Sequence, residues 1–268
     1  MPKNSFDFLK LTPRPNIKFV LTDIDDTITT DGQLTAKAYE SLCALAEKDF
    51  HVIPITGRPA GWCEMIARLW PVSAVVGENG GFYFNYDLQT KKMNRWYSQP
   101  QELRKVNQQK LEQLQFEILN QVPNCQISSD QFCRQTDLAI DFTEDIPRLS
   151  DEEIQKIMNL FTLFGATSKL SSIHVNGWFG DHTKLTTTQQ LLKNVFHIKD
   201  EEFKNICAFS GDSPNDEPMF EYFNYSFGVA NLLYFKNDIK HWPQFLTSEK
   251  SGLGFSEMAE ILIQSKNC

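Results

Sequence analysis

One stretch limits what this 268-residue chain can fold into more than any other: Ile17 to Gly32, reading IKFVLTDIDDTITTDG. An apolar, β-branched run ends there in three carboxylates within four residues, Asp23, Asp25 and Asp26. Burying a strand that delivers clustered acids is costly unless a cation or a reaction at that end uses them. The rest of the chain is read as organised around that strand end. A solvated turn is the plain alternative. A calcium loop is not, because the EF-hand pattern needs Gly at its sixth position and Ile28 stands there.

The segments that follow repeat the theme. A Gly-containing loop, TTDGQLT, leads into a helical pattern from about Thr35 to Lys48 with Leu42, Leu45 and Ala46 on one face. HVIPIT is a short apolar strand, GRPAGWCEMIARLWP a turn and a helix ended by Pro71, and SAVVGENGG a third strand running into a Gly-rich turn. Strand and helix alternating in this way predict a parallel sheet with right-handed crossovers. After about Phe84 the character changes. An aromatic and polar hairpin-like stretch precedes a long helix from Gln101 to Leu119, whose apolar positions Leu103, Val106, Leu111, Leu114 and Ile118 fit one face only loosely. CQISSD and DLAIDF read as strands. SDEEIQKIMNLFTLFG carries a capping box (Ser150 with Glu153), a stripe of Ile154, Ile157, Met158 and Phe161, and Gly165 as a stop. TSKLSSIHVN closes the segment as a strand pair. An inserted α+β domain is expected from 85 to 178, between core halves at 1–84 and 179–268, with hinges near 85 and 178. The alternating pattern resumes at Lys184 with a helix, the strand NICAFSGD, the turn SPND, the strand YSFGVAN and a tail holding QFLT and a helix around Phe255 to Ile263.

Charge and cysteine usage narrow the functional classes. With 26 basic against 34 acidic residues the formal charge is −8, which disfavours nucleic acid and anionic membranes as partners, since both attract basic surfaces. A small anionic substrate remains compatible if local groups neutralise it. The six cysteines, Cys43, Cys63, Cys125, Cys133, Cys207 and Cys268, form no CxxC pair and have no His at zinc-finger spacing, so they are expected to be reduced and mostly structural. A cytoplasmic protein is expected, as a monomer or homodimer. No apolar window approaches a membrane span or a secretory leader.

Four pieces carry the chemistry, each at a predicted strand end or helix start: DIDDT (Asp23 to Thr27), ITGRP (Ile55 to Pro59), Lys184, and GDSPND (Gly211 to Asp216). In an open parallel sheet these ends converge on one crevice. Together they resemble the four motifs of the haloacid dehalogenase-like (HAD) phosphohydrolase superfamily: nucleophile loop, threonine motif, lysine and distal acids. The resemblance covers roughly residues 17–82 and 180–231. An insertion between ITGRP and Lys184 resembles the Cof-like branch with its large αβ cap, in which sugar-phosphate, sucrose-phosphate and mannosylphosphoglycerate phosphatases are found, and GENGG (Gly77 to Gly81) and GVAN (Gly228 to Asn231) look like that branch too. The fold class implied is α/β, a Rossmann-like parallel sheet core with an inserted α+β cap. Asp26 departs from the pattern, since Gly usually holds that position; Asp is among the residues that best tolerate the turn's backbone.

The resemblance implies a small phosphorylated substrate, a sugar phosphate, and Mg²⁺ held by hard oxygens: the Asp23 carboxylate, the Asp25 carbonyl and Asp212, with Asp216 holding a metal-bound water or orienting Lys184. Asp23 is the implied nucleophile, Asp25 the general acid and then base, Thr56 a hydroxyl donor to a phosphoryl oxygen, and Lys184 the neutralising cation, with Lys169 and Lys193 worse placed. Arg58, Asn79 and Asn215 are candidates to line the crevice. In the cap, Arg134 is expected to clamp an anionic group, and His174 and Asn176, alternating on one strand face, to contact substrate with Trp178 nearby. Each has an ordinary structural alternative. A phosphomutase sharing the intermediate, and a phosphosugar-binding regulatory protein without turnover, are the competing functions.

Overall fold

In the computed structural model, which describes residues 2–266, a short strand β1 (Lys3–Asn4) and a 3-10 turn (Ser5–Lys10) precede the expected alternation. That alternation runs β2 (Phe19–Thr22), α1 (Ala36–Glu47), β3 (His51–Pro54), α2 (Ala60–Leu69) and β4 (Val75–Gly77). Next come the hairpin β5 (Phe82–Asp87) and β6 (Lys92–Tyr97), α3 (Gln101–Gln121), β7 (Gln126–Ile127), β8 (Leu138–Asp141), α4 (Asp151–Leu163), β9 (Thr167–Leu170) and β10 (His174–Trp178). The chain ends with α5 (Lys184–Asn194), α6 (Phe203–Ile206), β11 (Cys207–Gly211), α7 (Glu217–Tyr222), β12 (Tyr225–Gly228), β13 (Phe245–Leu246) and α8 (Ser251–Lys266).

Six strands form the core sheet in the order β1-β13-β12-β11-β2-β3, every neighbouring pair parallel. Side chains alternate across a strand, so β2 feeds two apolar layers at once. Val20 packs with Val52, Ala208 and Phe227 under α1, α2 and α8, while Phe19 and Leu21 pack with Ile53 and Phe209 under α5 and α7. A strand covered on both faces reads as the continuous apolar run FVLT, all four residues buried.

Thr35 caps α1 by accepting the Ala38 amide, and Leu42 and Leu45 are its buried positions. The hairpin at 82–97 joins β4 in a three-stranded antiparallel sheet, and Ile55 bridges Val76 to connect that sheet to the core. Position 85, the expected hinge, thus lies inside a ladder, with Asn85 opposite Asn94. Phe82 and Phe84 fill one core layer and Tyr83 the other, an attachment that the polar, aromatic composition of the segment does not reveal.

The cap is a four-stranded antiparallel sheet, β7-β8-β10-β9, covered by α3 and α4 over its own core of Leu114, Ile118, Ile140, Ile157, Phe161 and Val175. Ser150 and Glu153 form the expected capping box, and Gly165 takes φ +73° just beyond α4. The loose pattern of α3 has a physical cause. Leu103 and Val106 are exposed, and Asn107 is buried in their stead, donating to Gln99 and the Phe179 carbonyl. The five cysteines among the described residues are free; Cys268 lies outside them. Among the described residues no helix is long and apolar enough to cross a membrane.

Candidate active site

Parallel pairing of β2 with β11 sets their C-terminal ends side by side, so Asp23 follows one strand and Asp212 the other. The Asp23 amide donates to the Ser210 carbonyl (2.9 Å), and the Thr22 and Ser210 hydroxyls bond at 2.8 Å. The chain then turns sharply. Asp26 sits at φ +56°, the left-handed region where the expected Gly would be unstrained. Two contacts hold the turn: the Asp26 amide donates to Thr29 Oγ1 (3.1 Å), and its carbonyl accepts Asn231 Nδ2 (3.0 Å). Asn231 belongs to the GVAN stretch, and it also donates to Asp212 Oδ2 (3.3 Å), while Thr27 donates to Asp212 Oδ1 (3.3 Å).

Lys184 opens α5, whose start is fixed by a Thr183–Thr186 capping box and by Thr187 donating to the Gly80 carbonyl (2.6 Å). Its buried ammonium donates to Asp23 Oδ1 (2.7 Å) and Asp216 Oδ1 (2.9 Å). Burial alone would lower its proton affinity, but Asp216 and Asp23 outweigh that and raise it. Asp216 Oδ2 accepts the Asp212 amide (3.1 Å), closing the turn of GDSPND.

Carboxylate oxygens of Asp23, Asp212 and Asp216 all lie within 4.8 Å of one another, and all three residues are buried. Burial pushes the Asp23 carboxyl up to about 7, and burial with Asp23 and Asp216 nearby holds Asp212 well above the carboxylate range. Three buried acids face a single ammonium. This donor set, all hard oxygen and short of positive charge, fits a divalent cation of the Mg²⁺ type.

Thr56 ends the β3 segment, fully buried, with its amide bonded to the Val76 carbonyl (2.9 Å) and its hydroxyl accepting the Arg58 amide (3.0 Å). Arg58 reaches across to Asp25. Its Nε donates to both carboxylate oxygens (2.9 and 3.1 Å), Nη2 lies 2.8 Å from Oδ1, and the same Nη2 donates to Glu144 of the cap (3.0 Å). His174 Nε2 is 2.8 Å from the other Glu144 oxygen, and together these interactions hold the Glu144 carboxyl down at about 2. His174, Asn176 and Asn215 line the cleft over Asp23 and Asp25. Asn176 donates to Asp137 (3.0 Å), and Asn215 accepts from Ser213 (2.9 Å). The cleft holds about 20 Å³ of free space, room for roughly one water. Asn79, at φ +54°, lies buried with its amide against Gly57.

Arg134 is placed differently from its expected clamp. Its guanidinium is wholly buried and committed to Asp130 (3.0 Å), Asp137 (3.0 Å) and the Gly57 carbonyl (2.8 Å), which ties the cap to the threonine loop. Trp178 is also internal, stacked on His182. Glu78 joins the same contact region. It accepts the Ala60 amide (2.9 Å) and the Gln135 amide (3.0 Å) at one end and the Thr136 hydroxyl (2.6 Å) at the other. Sequence reasoning missed Glu144, Asp130 and Asp137 altogether; Glu78 and Asn231 lay inside stretches it had marked.

A family model for haloacid dehalogenase-like hydrolases matches residues 20–198, which spans β2 through α5. The chain belongs to that family. No curated protein matches it in sequence. Solved HAD folds are similar to it throughout. The C-terminal domain of trehalose-6-phosphate phosphatase from C. albicans superposes with TM-score 0.71 at 16% identity, covering 98% of both chains. A putative HAD/COF-like hydrolase from Plasmodium vivax gives 0.69 at 17% identity, covering 97% of this chain and 99% of the other. The sucrose-phosphatase of Synechocystis, in complex with sucrose and phosphate, gives 0.63 at 14% identity, covering 92% and 98%. The core sheet and the sheets inserted into it are thus a fold that this chain shares with them.

Proposed function

We propose that this HAD hydrolase is an Mg²⁺-dependent phosphatase that hydrolyses a small phosphorylated metabolite, a sugar phosphate, through an aspartyl-phosphate on Asp23. The observation that carries the reading is Asp25, an acid two residues beyond the nucleophile and in the same cleft as Asp23, Asp212 and Arg58. Asp23 Oδ attacks phosphorus, and the bond to the leaving oxygen breaks as Asp25 gives that oxygen a proton. Asp25, now ionised, takes a proton from the water that attacks the aspartyl-phosphate, releasing inorganic phosphate and restoring Asp23. Lys184 offsets negative charge on the transferring group, and the Thr56 hydroxyl turns to a phosphoryl oxygen. Mg²⁺ held by Asp23, Asp212, the Asp25 carbonyl and Asp216 would supply the positive charge that lets one anion approach another.

The narrow cleft supports a cap that opens to admit substrate and closes to exclude solvent. The sugar assignment is supported by the polar cap face of Ser171, Ser172, His174 and Asn176, and by folds shared with sucrose- and trehalose-6-phosphate phosphatases. Phosphate release across a panel of phosphorylated metabolites tests the proposal. Turnover is expected in Mg²⁺ and lost in EDTA or in Asp23→Asn. Turnover that survives Asp23→Asn refutes the covalent route, and conversion to an isomeric phosphate without release would make the protein a mutase.

A further inference from the structure

We infer that Glu144 is a positioning residue for Asp25: it acts through Arg58 so that the acid/base carboxylate is set only when the cap sits on the core. The inference rests on Asp25 being the acid of the proposed phosphatase. Arg58, whose side chain is 6% exposed, has carboxylates on three sides. Asp25 belongs to the core, while Glu144 (3.0 Å) and Asp130 (3.6 Å) come from the cap. Its guanidinium lies over the Trp62 ring at 4.5 Å, which supports one face while the acids meet its nitrogens. Nη2 is divided between Asp25 Oδ1 and Glu144 Oε1, so withdrawing Glu144 frees the guanidinium to settle wholly on Asp25.

Glu144 is itself held in place. The buried Asp141 carboxylate at the end of β8 accepts the amides of Thr143 (2.8 Å), Glu144 (2.7 Å) and Asp145 (2.8 Å), winding that loop into a fixed turn. His174 Nε2 from β10 then lies 2.8 Å from the second Glu144 oxygen. A cap strand, a cap loop, a core arginine and the acid thus form one connected chain. A carboxyl that must hand a proton to a departing oxygen loses efficiency when misaligned, because proton transfer requires hydrogen-bond reach.

Leaving-group dependence separates this role from a merely structural one. An alkyl phosphate needs a proton on its leaving oxygen, whereas 2,4-dinitrophenyl phosphate does not, and kcat/KM reports the step in which that bond breaks. For Glu144→Gln in excess Mg²⁺, kcat/KM on the alkyl ester is expected to fall about 100-fold and on the dinitrophenyl ester by no more than about threefold. His174→Gln, which removes the other partner of Glu144, is expected to show the same pattern more weakly. Equal losses on both esters, or no loss on either, overturn the inference. Asp25→Asn serves as the reference. If it shows the ester dependence and Glu144→Gln does not, only the positioning role fails; if Asp25→Asn lacks it, the acid assignment fails and the positioning role with it.

Discussion

Asp212→Asn is expected to make the metal-free protein more stable while it removes turnover. In the folded chain Asp212 stands within 4.8 Å of both Asp23 and Asp216, buried with them. At that distance each like-charge pair costs about 3.5 kcal/mol at an effective dielectric constant near 20. Two such repulsions are opposed by attraction to Lys184, which leaves about 3.5 kcal/mol as the ceiling on what neutralising Asp212 can recover. Proton uptake by the carboxyl, whose affinity burial and the neighbouring acids raise, already recovers part of it. An amide nitrogen must also face either Thr27 or Asn231, both of which now donate to Asp212, at a cost of about 1 kcal/mol. A net gain of about 1–2 kcal/mol in urea denaturation at neutral pH in EDTA follows from these terms. In excess Mg²⁺ the order is expected to reverse, because an ion held by the three acids would stabilise the native wild type and would stabilise the variant less. Lower stability of the variant in EDTA, or equal Mg²⁺ stabilisation of both proteins, would refute the reading of the three acids as a strained cation site.

Three further outcomes are expected. Gly80→Ala places a Cβ 2.2 Å from the Thr183 carbonyl oxygen at a φ of +104°, so the start of α5 and Lys184 must shift; kcat should fall about 10–100-fold in steady-state assays, with a smaller change in KM. Phe8→Ala removes a buried ring packed on Tyr225, Phe227 and Phe245 at 5.5–5.8 Å and should cost about 3–5 kcal/mol in urea unfolding. His182 is buried against Trp178 with neither ring nitrogen hydrogen-bonded, and burial lowers its pKa to about 4 despite Asp181. The unfolded chain takes up that proton near the ordinary value of 6.5 and the folded chain does not, so stability is full above that value and is lost as pH falls. The share at pH 5 is about 2 kcal/mol, and His182→Gln should flatten the pH dependence of urea unfolding between pH 7 and 5 by about that amount.

The core strands, and the residues that the structure gathers at their ends, were largely legible before any coordinates. FVLT, VIP and CAFSG read as buried parallel strands because they are largely apolar runs, and turn chemistry at DIDDT, ITGRP and GDSPND marked where each strand stops. Asp26 keeps the tight turn that its tolerance of positive φ had suggested. The N-terminal strand was not legible: two residues of KN pair with β13 beside a segment that Phe8 anchors in the core. Arg134 had the chemistry of an anion clamp, yet two buried aspartates and a backbone carbonyl occupy it.

By itself, then, the chain's order of residues marked the core strands that alternate with helices and where they end, since periodicity and turn chemistry are local properties, and the resemblance of four motifs singled out Asp23, Asp25, Thr56, Lys184, Asp212 and Asp216 as candidates. Which groups meet was decided by tertiary structure alone. Lys184 finds Asp23 from 161 positions away, and Arg58 finds Glu144 from 86 positions away. Such partners are selected by how the cap sheet seats on the core, a packing of whole layers that no local spacing encodes.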